Sequence, residues 1–327
     1  MFRSDSGSVS ASLRARARDL GIVFFFVALF LVLSVSTSTF LRQDNLLNVL
    51  DQSSELLVLT TAITVCIIAG IFDLSVASTA TVAAIATCAG VNAAGWPGGI
   101  IAGLGAGAGL GLVNGLAIGL TKVNSFIGTL ATSFTFKGLA IVISGGSVVA
   151  IEDLDARRTL AELFTGRFLG AKGVVFFALA FVVVVGVILS QTVFGRHVYA
   201  VGGNAEAARL SGVRVMKVQT LCYVLSGLAA GLAGIFYAGR YGSGASNSFS
   251  DTIAFQAIAA AVVGGTSIFG GSGAVWRAVV GVLILALIGN GFNLLGIDPT
   301  YQLAAQGVLI FAAVAGDQYL RGGSRTA

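Results

Sequence analysis

The sequence predicts an all-α, polytopic transmembrane helix bundle of about ten helices, both termini cytoplasmic, with some helices broken or re-entrant. Three observations carry this. Hydrophobic residues make up 56% of the chain and charged residues only 10%, against roughly a quarter charged in soluble domains. Apolar stretches of ~20 residues, the length that crosses a bilayer core, recur along the chain. Glycine is abundant, at 45 residues, without a three-residue period. That composition suits helices packed closely in lipid.

Taken in order, the expected spans are 20–38, 54–72, 75–94, 97–120, 125–144, 172–191, 217–239, 252–269, 273–292 and 300–317. The first follows Arg14, Arg16 and Arg18, as a signal peptide would. Its apolar run of ~20 residues exceeds a typical h-region of ~7–15, so it reads as a retained helix. The joints at Asp73 and Gly270 are too short for ordinary loops, so broken or re-entrant helices are expected there. The span 97–120 carries Gly103, Gly107, Gly111, Gly115 and Gly119, a single groove at spacing four. It reads as a packing face for a neighbouring helix, with a dimer seam as the alternative. Asn114 sits beside it.

Orientation follows from the Lys/Arg bias. With the N-terminus inside, most of the 19 basic residues fall on the cytoplasmic side. The chain then divides into a cytoplasmic tail (1–19), one transmembrane domain (20–318) and a second cytoplasmic tail (319–327). The longest outer loop is 145–171 and the longest inner loop 192–216. Lys137 lies inside a span, where its stem either snorkels or its charge faces a cavity.

Several functions are excluded. Basic residues do not cluster, so nucleic acid is not a partner. Cys66, Cys88 and Cys222 lie in apolar runs and read as buried thiols. His197 is the only histidine, so neither a metal site nor a His-based catalytic set is expected. No cofactor is expected either. No Gly-Lys pair exists for a P-loop, so any ATPase must be a separate chain.

The inner loop is the richest stretch. Asn204 is a plausible N-cap, Glu206 sits in the first turn, and Gly212 terminates. Residues 204–212 therefore form a short cytoplasmic helix, either a partner-docking element or an ordinary solvated one. Small Ala207 and Ala208 leave room for a partner. The run Glu206-Ala207-Ala208 followed by Gly212 resembles the E-A-A-x-x-x-G signature of ABC importer permeases. Tyr199-Ala200-Val201-Gly202-Gly203-Asn204 and Tyr223-Val224-Leu225-Ser226-Gly227-Leu228 resemble its ribose-type, monosaccharide and polyol branch. The resemblance runs from about residue 45 to 318.

It implies a cytoplasmic ABC ATPase, an extracytoplasmic sugar-binding protein and a second permease subunit, most simply a homodimer, in a bacterial inner membrane. It also implies ATPase coupling through Gly203, Asn204, Glu206, Ala207, Ala208, Arg209 and Gly212.

Three further blocks resemble the same branch with departures. In Gly70-Ile71-Phe72-Asp73-Leu74-Ser75-Val76-Ala77-Ser78, Ile71 and Ala77 replace glycines. There Asp73 with Ser75 either caps the next helix or lines a pathway. In Val123-Asn124-Ser125-Phe126-Ile127-Gly128-Thr129, Asn124 and Ser125 replace prolines. Ser125 is the expected cap, while Thr129, Thr132 and Ser133 share a face or bond their own helix. In the block from Gln256 to Gly273, Gln256 replaces an acid. The candidate substrate path is Asp73, Ser75, Asn114, Phe126, Thr129, Gln256, Asn290 and Asn293, expected to converge on one cavity. The alternative is a secondary transporter of small polar solutes. It would show repeats and midplane acids, whereas Asp73 stands alone.

Overall fold

A long, largely buried helix organises the chain in the computed structural model. The structure describes residues 6–298, with 300–302, 304, 305, 307, 308, 311, 312 and 315, and side chains from Leu20 onward. The helices are α1 (Ser6–Ser36), α2 (Gln43–Ile68), α3 (Val76–Thr121), α4 (Ser125–Ser144), α5 (Leu154–Thr165), α6 (Gly173–Gln191), α7 (Val193–Gly203), α8 (Ala205–Leu210), α9 (Val215–Tyr241), α10 (Thr252–Val263) and α11 (Val275–Leu294). Helix α2 is the organiser, packing on α6, α9, α10 and α11. Two short antiparallel ribbons depart from the all-α expectation. Val149–Ala150 (β1) pairs with Ser243–Gly244 (β4), and Arg167–Phe168 (β2) with Ala171–Lys172 (β3).

Among the described residues six helices are long and apolar enough to cross a membrane: α2, α3, α4, α6, α9 and α11. One of them holds two expected spans. Helix α3 is interrupted by Ala94 (φ −146°, ψ 25°) and Gly95 (φ 69°). A Cβ on Gly90 would stand 2.7 Å from that of Ala102, and one on Gly99 would stand 2.9 Å from the Thr87 carbonyl. Residues 90 and 102 would lie ~18 Å apart in a straight helix. The chain therefore doubles back at 94–95, as the separate spans 75–94 and 97–120 anticipated.

The glycine groove on the returning arm is filled from within the subunit. Cβ atoms on Gly107 and Gly111 would overlap the carbonyls of Gly227 and Tyr223, and one on Gly115 would stand 2.7 Å from Thr220 Cα. The stripe is thus the seat of α9, which settles it as packing rather than a dimer seam.

Two boundaries need correction. Helix α2 starts at Gln43, eleven residues before the expected 54. Its first turns carry Asp44, Asp51 and Glu55, which look like loop residues in a hydropathy window. The fold neutralises Asp51 instead, through Lys172 (2.6 Å) and Arg240 (2.9 Å), with Arg240 also 3.6 Å from Glu55. That network ties α2 to β3 and α9. Helix α10 stops at Val263 after 12 residues, ~18 Å, too short for a ~30 Å core. The expected span 252–269 is therefore a half-helix, followed by a glycine-rich break. The expected span 300–317 lies partly outside the described residues, and those that are described in it are helical. The tails 1–5 and 316–327 also lie outside them.

The three cysteines are buried and free. Lys137 bonds Asp251 at 2.7 Å, joining α4 to the segment before α10.

Candidate functional site

The end of the bundle that carries α7 and α8 is built around backbone-to-backbone contact. Helix α8 has the caps its sequence asks for. The Asn204 side chain accepts from Ala207 N–H at 3.0 Å. At the other end Gly212 adopts φ +86°. Its N–H donates to Arg209 O, and Val213 N–H donates to Ala208 O, both at 3.0 Å. This pair of bonds is the Schellman closure that a left-handed glycine permits.

Glu206 pairs with Arg209 at 2.6 and 3.1 Å on the exposed face. That hydrogen bond and charge hold the Glu206 carboxyl below its ordinary pKa. Ala207 is exposed and Ala208 buried, packing among Val198, Val201 and Val218. Of the two alanines, only Ala207 faces outward. Leu210 stands 77% exposed beside it, an apolar group that the sequence reading passed over.

Just before α8, the end of α7 is wedged between two helix breaks. A Cβ on Gly202 would overlap the carbonyl of Ile68, at the end of α2, and stand 2.7 Å from Gly271 N. Gly70, Gly270 and Gly271 all have positive φ, and Gly271 N–H donates to Ile68 O at 2.9 Å. Tyr199 adds a bond from its hydroxyl to Gly273 O at 2.9 Å. The three chain segments meet at backbone distance because none of them carries a side chain there.

The break between α2 and α3 carries Asp73. Its carboxylate accepts from the Ser75 N–H at 2.9 Å and the Ser75 hydroxyl at 2.6 Å. The Asn114 amide donates to the same Ser75 oxygen at 2.7 Å. Thr129 Oγ1 accepts from Leu74 N–H at 3.1 Å while donating to Ser125 O at 2.7 Å. The Phe72 N–H donates to Ser125 Oγ, and the Tyr223 hydroxyl donates to Phe72 O, both at 3.1 Å. A non-helical backbone in a membrane protein must have its polar groups satisfied by protein, and here four side chains do so.

The cap of α4 is Asn124, whose oxygen accepts from Phe126 N–H at 3.0 Å. Ser125, the expected cap, serves the broken segment instead. Ser133 bonds Ser78 at 2.9 Å, and Thr132 bonds its own helix at Thr129 O. Phe126 sits edge-on to Phe72 with centroids 6.2 Å apart.

The remaining path candidates lie elsewhere. Gln256, Asn290 and Asn293 line a cavity of about 340 Å³ between α2, α10, α11 and the helical residues after 299. Asp73, Ser75, Asn114, Phe126 and Thr129 are not among its lining residues. The expected convergence of all eight on one cavity is therefore corrected to two groups. Sequence reasoning separated helices well but had no signal for which polar faces would meet.

It also missed three residues. Gln52 and Gln302 line the same cavity. Asn45 exchanges two amide bonds with Asn290, at 2.8 and 3.1 Å. The first of these, Gln52, lies next to Asp51 in a stretch that hydropathy assigned to a loop.

A helical membrane bundle with a capped, exposed helix at one end and polar groups set between its helices has the form of a transport permease. The sequence matches, over residues 45–314, the family described as the branched-chain amino acid transport system / permease component. The chain belongs to that family.

It is 39% identical to the L-arabinose transport system permease protein AraH of Escherichia coli, covering 80% of this chain and 78% of that one. It is 37% identical to the ribose import permease protein RbsC of Bacillus subtilis, covering 92% and 93%. With the L-arabinose ABC transporter permease protein AraH of Azospirillum brasilense it shares 36%, over 92% and 88%. These relatives agree with the resemblance carried by residues 195–235. No solved structure matches the chain significantly.

Proposed function

We infer that the chain is the inner-membrane permease of an ATP-driven importer of a monosaccharide or polyol. The observation that carries this reading is the joint between α8 and the membrane helices. A short, doubly capped helix presents Glu206, Ala207, Arg209 and Leu210 to solvent, and Gly202, two residues before its cap, is locked against two helix breaks. Such an element suits a partner that pushes. In this reading the partner is a separate cytoplasmic ABC ATPase, contacting Gly203, Asn204, Glu206, Ala207, Arg209 and Gly212, while buried Ala208 seats the helix on the bundle instead of meeting the partner. Sugar as the cargo is favoured by the arabinose and ribose permeases among the relatives.

In the full proposal about ten helical passes place both termini in the cytoplasm, with 20–318 as one domain in lipid. The 145–171 loop faces outward toward a sugar-binding protein. Two copies assemble as a homodimer. Gln256, Asn290 and Asn293 belong to the substrate path. Asp73, Ser75, Asn114 and Thr129 hold the broken helix beside it, with Phe126 at its edge. Uptake of labelled L-arabinose and D-ribose, by cells with and without the chain and its own ATPase, tests the reading. Glu206→Lys is expected to cut ATP-driven uptake at least tenfold while the protein remains in the membrane. Normal uptake by this variant removes the coupling role of α8.

A further inference from the structure

We propose that the cavity between α2, α10 and α11 is a sugar-binding subsite within a single subunit, built by carboxamides to take uncharged polyhydroxyl compounds and to reject amino acids. The proposal rests on the permease reading above and gives its cargo a site within the fold.

The chemistry of the lining is the argument. Five of its side chains are carboxamides: Gln52, Gln256, Asn290, Asn293 and Gln302. A carboxamide carries a carbonyl acceptor and two N–H donors, the same dual character as a sugar hydroxyl, although Asn290 already spends part of this capacity on Asn45. Among the described residues no charged side chain lines the cavity. An α-amino acid carries an ammonium and a carboxylate, and removing both from water without a counter-charge is costly. The family's description names branched-chain amino acids, so this chemistry distinguishes the chain's cargo from that class.

Three further features fit a sugar. Val49, Leu56 and Leu285 supply an apolar strip beside the amides, which suits the C–H face of a sugar ring. The volume of about 340 Å³ lies at the lower end of the ~300–1,000 Å³ found for small-molecule sites. Asn45 holds Asn290 by two amide bonds, so that side chain is preorganised rather than loose. Neutral hydrogen bonds also bind weakly, each worth about 0.5–1.5 kcal/mol net. A permease that must release its cargo needs that weakness.

Polar residues between membrane helices often serve only to join them, and the Asn45–Asn290 pair does join α2 to α11. Gln52 distinguishes the two roles, because it lies on the cavity wall with its residue exposed. Substituting it therefore leaves helix packing intact.

The test is saturation-transfer NMR on the full chain in nanodiscs, with L-arabinose, D-ribose and L-leucine as probes. One of the sugars is expected to give a signal and leucine none. Gln52→Leu and, separately, Gln302→Leu are expected to reduce the sugar signal at least fivefold, with an unchanged thermal midpoint for Gln52→Leu. A leucine signal, or a sugar signal undiminished in both variants, overturns the subsite. Uptake by the complete transporter separates the two levels. Sugar uptake that persists unchanged in both Leu variants rejects the subsite and leaves the permease reading standing. Leucine uptake in place of sugar uptake rejects both.

Discussion

The Asp73 group and the amide cavity are both polar and both embedded among apolar helices, yet they are arranged in opposite ways. Around Asp73 the side chains are turned on the protein itself. Ser75, Asn114, Thr129, Ser125 and Tyr223 bond the broken segment or each other. Around the cavity, five carboxamides border open space. A buried polar group is costly unless paired, so the first arrangement is what holds an unwound segment in place. The second sets Gln52, Asn293 and Gln302 at the border of that space, where a guest can meet them. Polar residues in a membrane helix thus divide by what they face, and residue type does not reveal which.

The comparison can be broken at several points. The largest expected effect lies outside both clusters, in the glycine seam that positions them. Gly111→Leu sets a side chain where even a Cβ would overlap the Tyr223 carbonyl, whereas one on Gly105 would have nothing within 4 Å. Size-exclusion chromatography of the two variants is expected to show loss of most monodisperse protein for Gly111→Leu and none for Gly105→Leu. Equal behaviour contradicts the seating of α9 on this groove.

Smaller, but still large, is the effect of Asn114→Leu. It removes the amide bond to Ser75 from a fully buried site. Losing one partner of a buried hydrogen bond costs about 1–3 kcal/mol. Thermal unfolding in detergent is expected to show a lower midpoint. Asn45→Leu leaves Asn290 without its reciprocal partner and is expected to lower the midpoint by a comparable or smaller amount, since the pair is only part-buried. An unchanged midpoint would show that the amide pair holds nothing.

The smallest effect concerns α8. The Glu206 carboxyl is held below its ordinary value by Arg209. Its pairing is therefore present at neutral pH and lost only as pH falls through that depressed value. The carboxyl carbon shift of Glu206, followed by NMR in the labelled protein, is expected to titrate below 4.5. Arg209→Ala returns it toward the ordinary range. A midpoint insensitive to Arg209→Ala contradicts the pair.

Much of this molecule is legible in its sequence, and the failures have identifiable causes. The helix 125–144 and the caps at Asn204 and Gly212 follow from local rules that depend on few neighbours. The turn at 94–95 is marked by the Ala-Gly-Trp-Pro run that interrupts the apolar pattern. The start of α2 was missed because Asp51 reads as a loop residue until Lys172 and Arg240, over a hundred residues away, are placed beside it. The length of α10 was overread because the apolar run continues through Gly264 and Gly265 after the helix has stopped. Asp73, Ser75, Asn114 and Thr129 were found as polar residues in apolar surroundings, but their mutual bonding is a tertiary fact. Gln52, Gln302 and Asn45 have no local signature, since a lone amide on a helix looks like a solvated one.

The most direct test is to measure thermal midpoint and initial sugar uptake together for Asn114→Leu and Gln52→Leu in the reconstituted transporter. The account predicts a lowered midpoint for Asn114→Leu. For Gln52→Leu it predicts an unchanged midpoint with uptake reduced at least fivefold. The reverse pattern, a destabilised Gln52→Leu beside an unaltered Asn114→Leu, would contradict the division of this molecule's polar residues into those that hold the fold and those that meet the substrate.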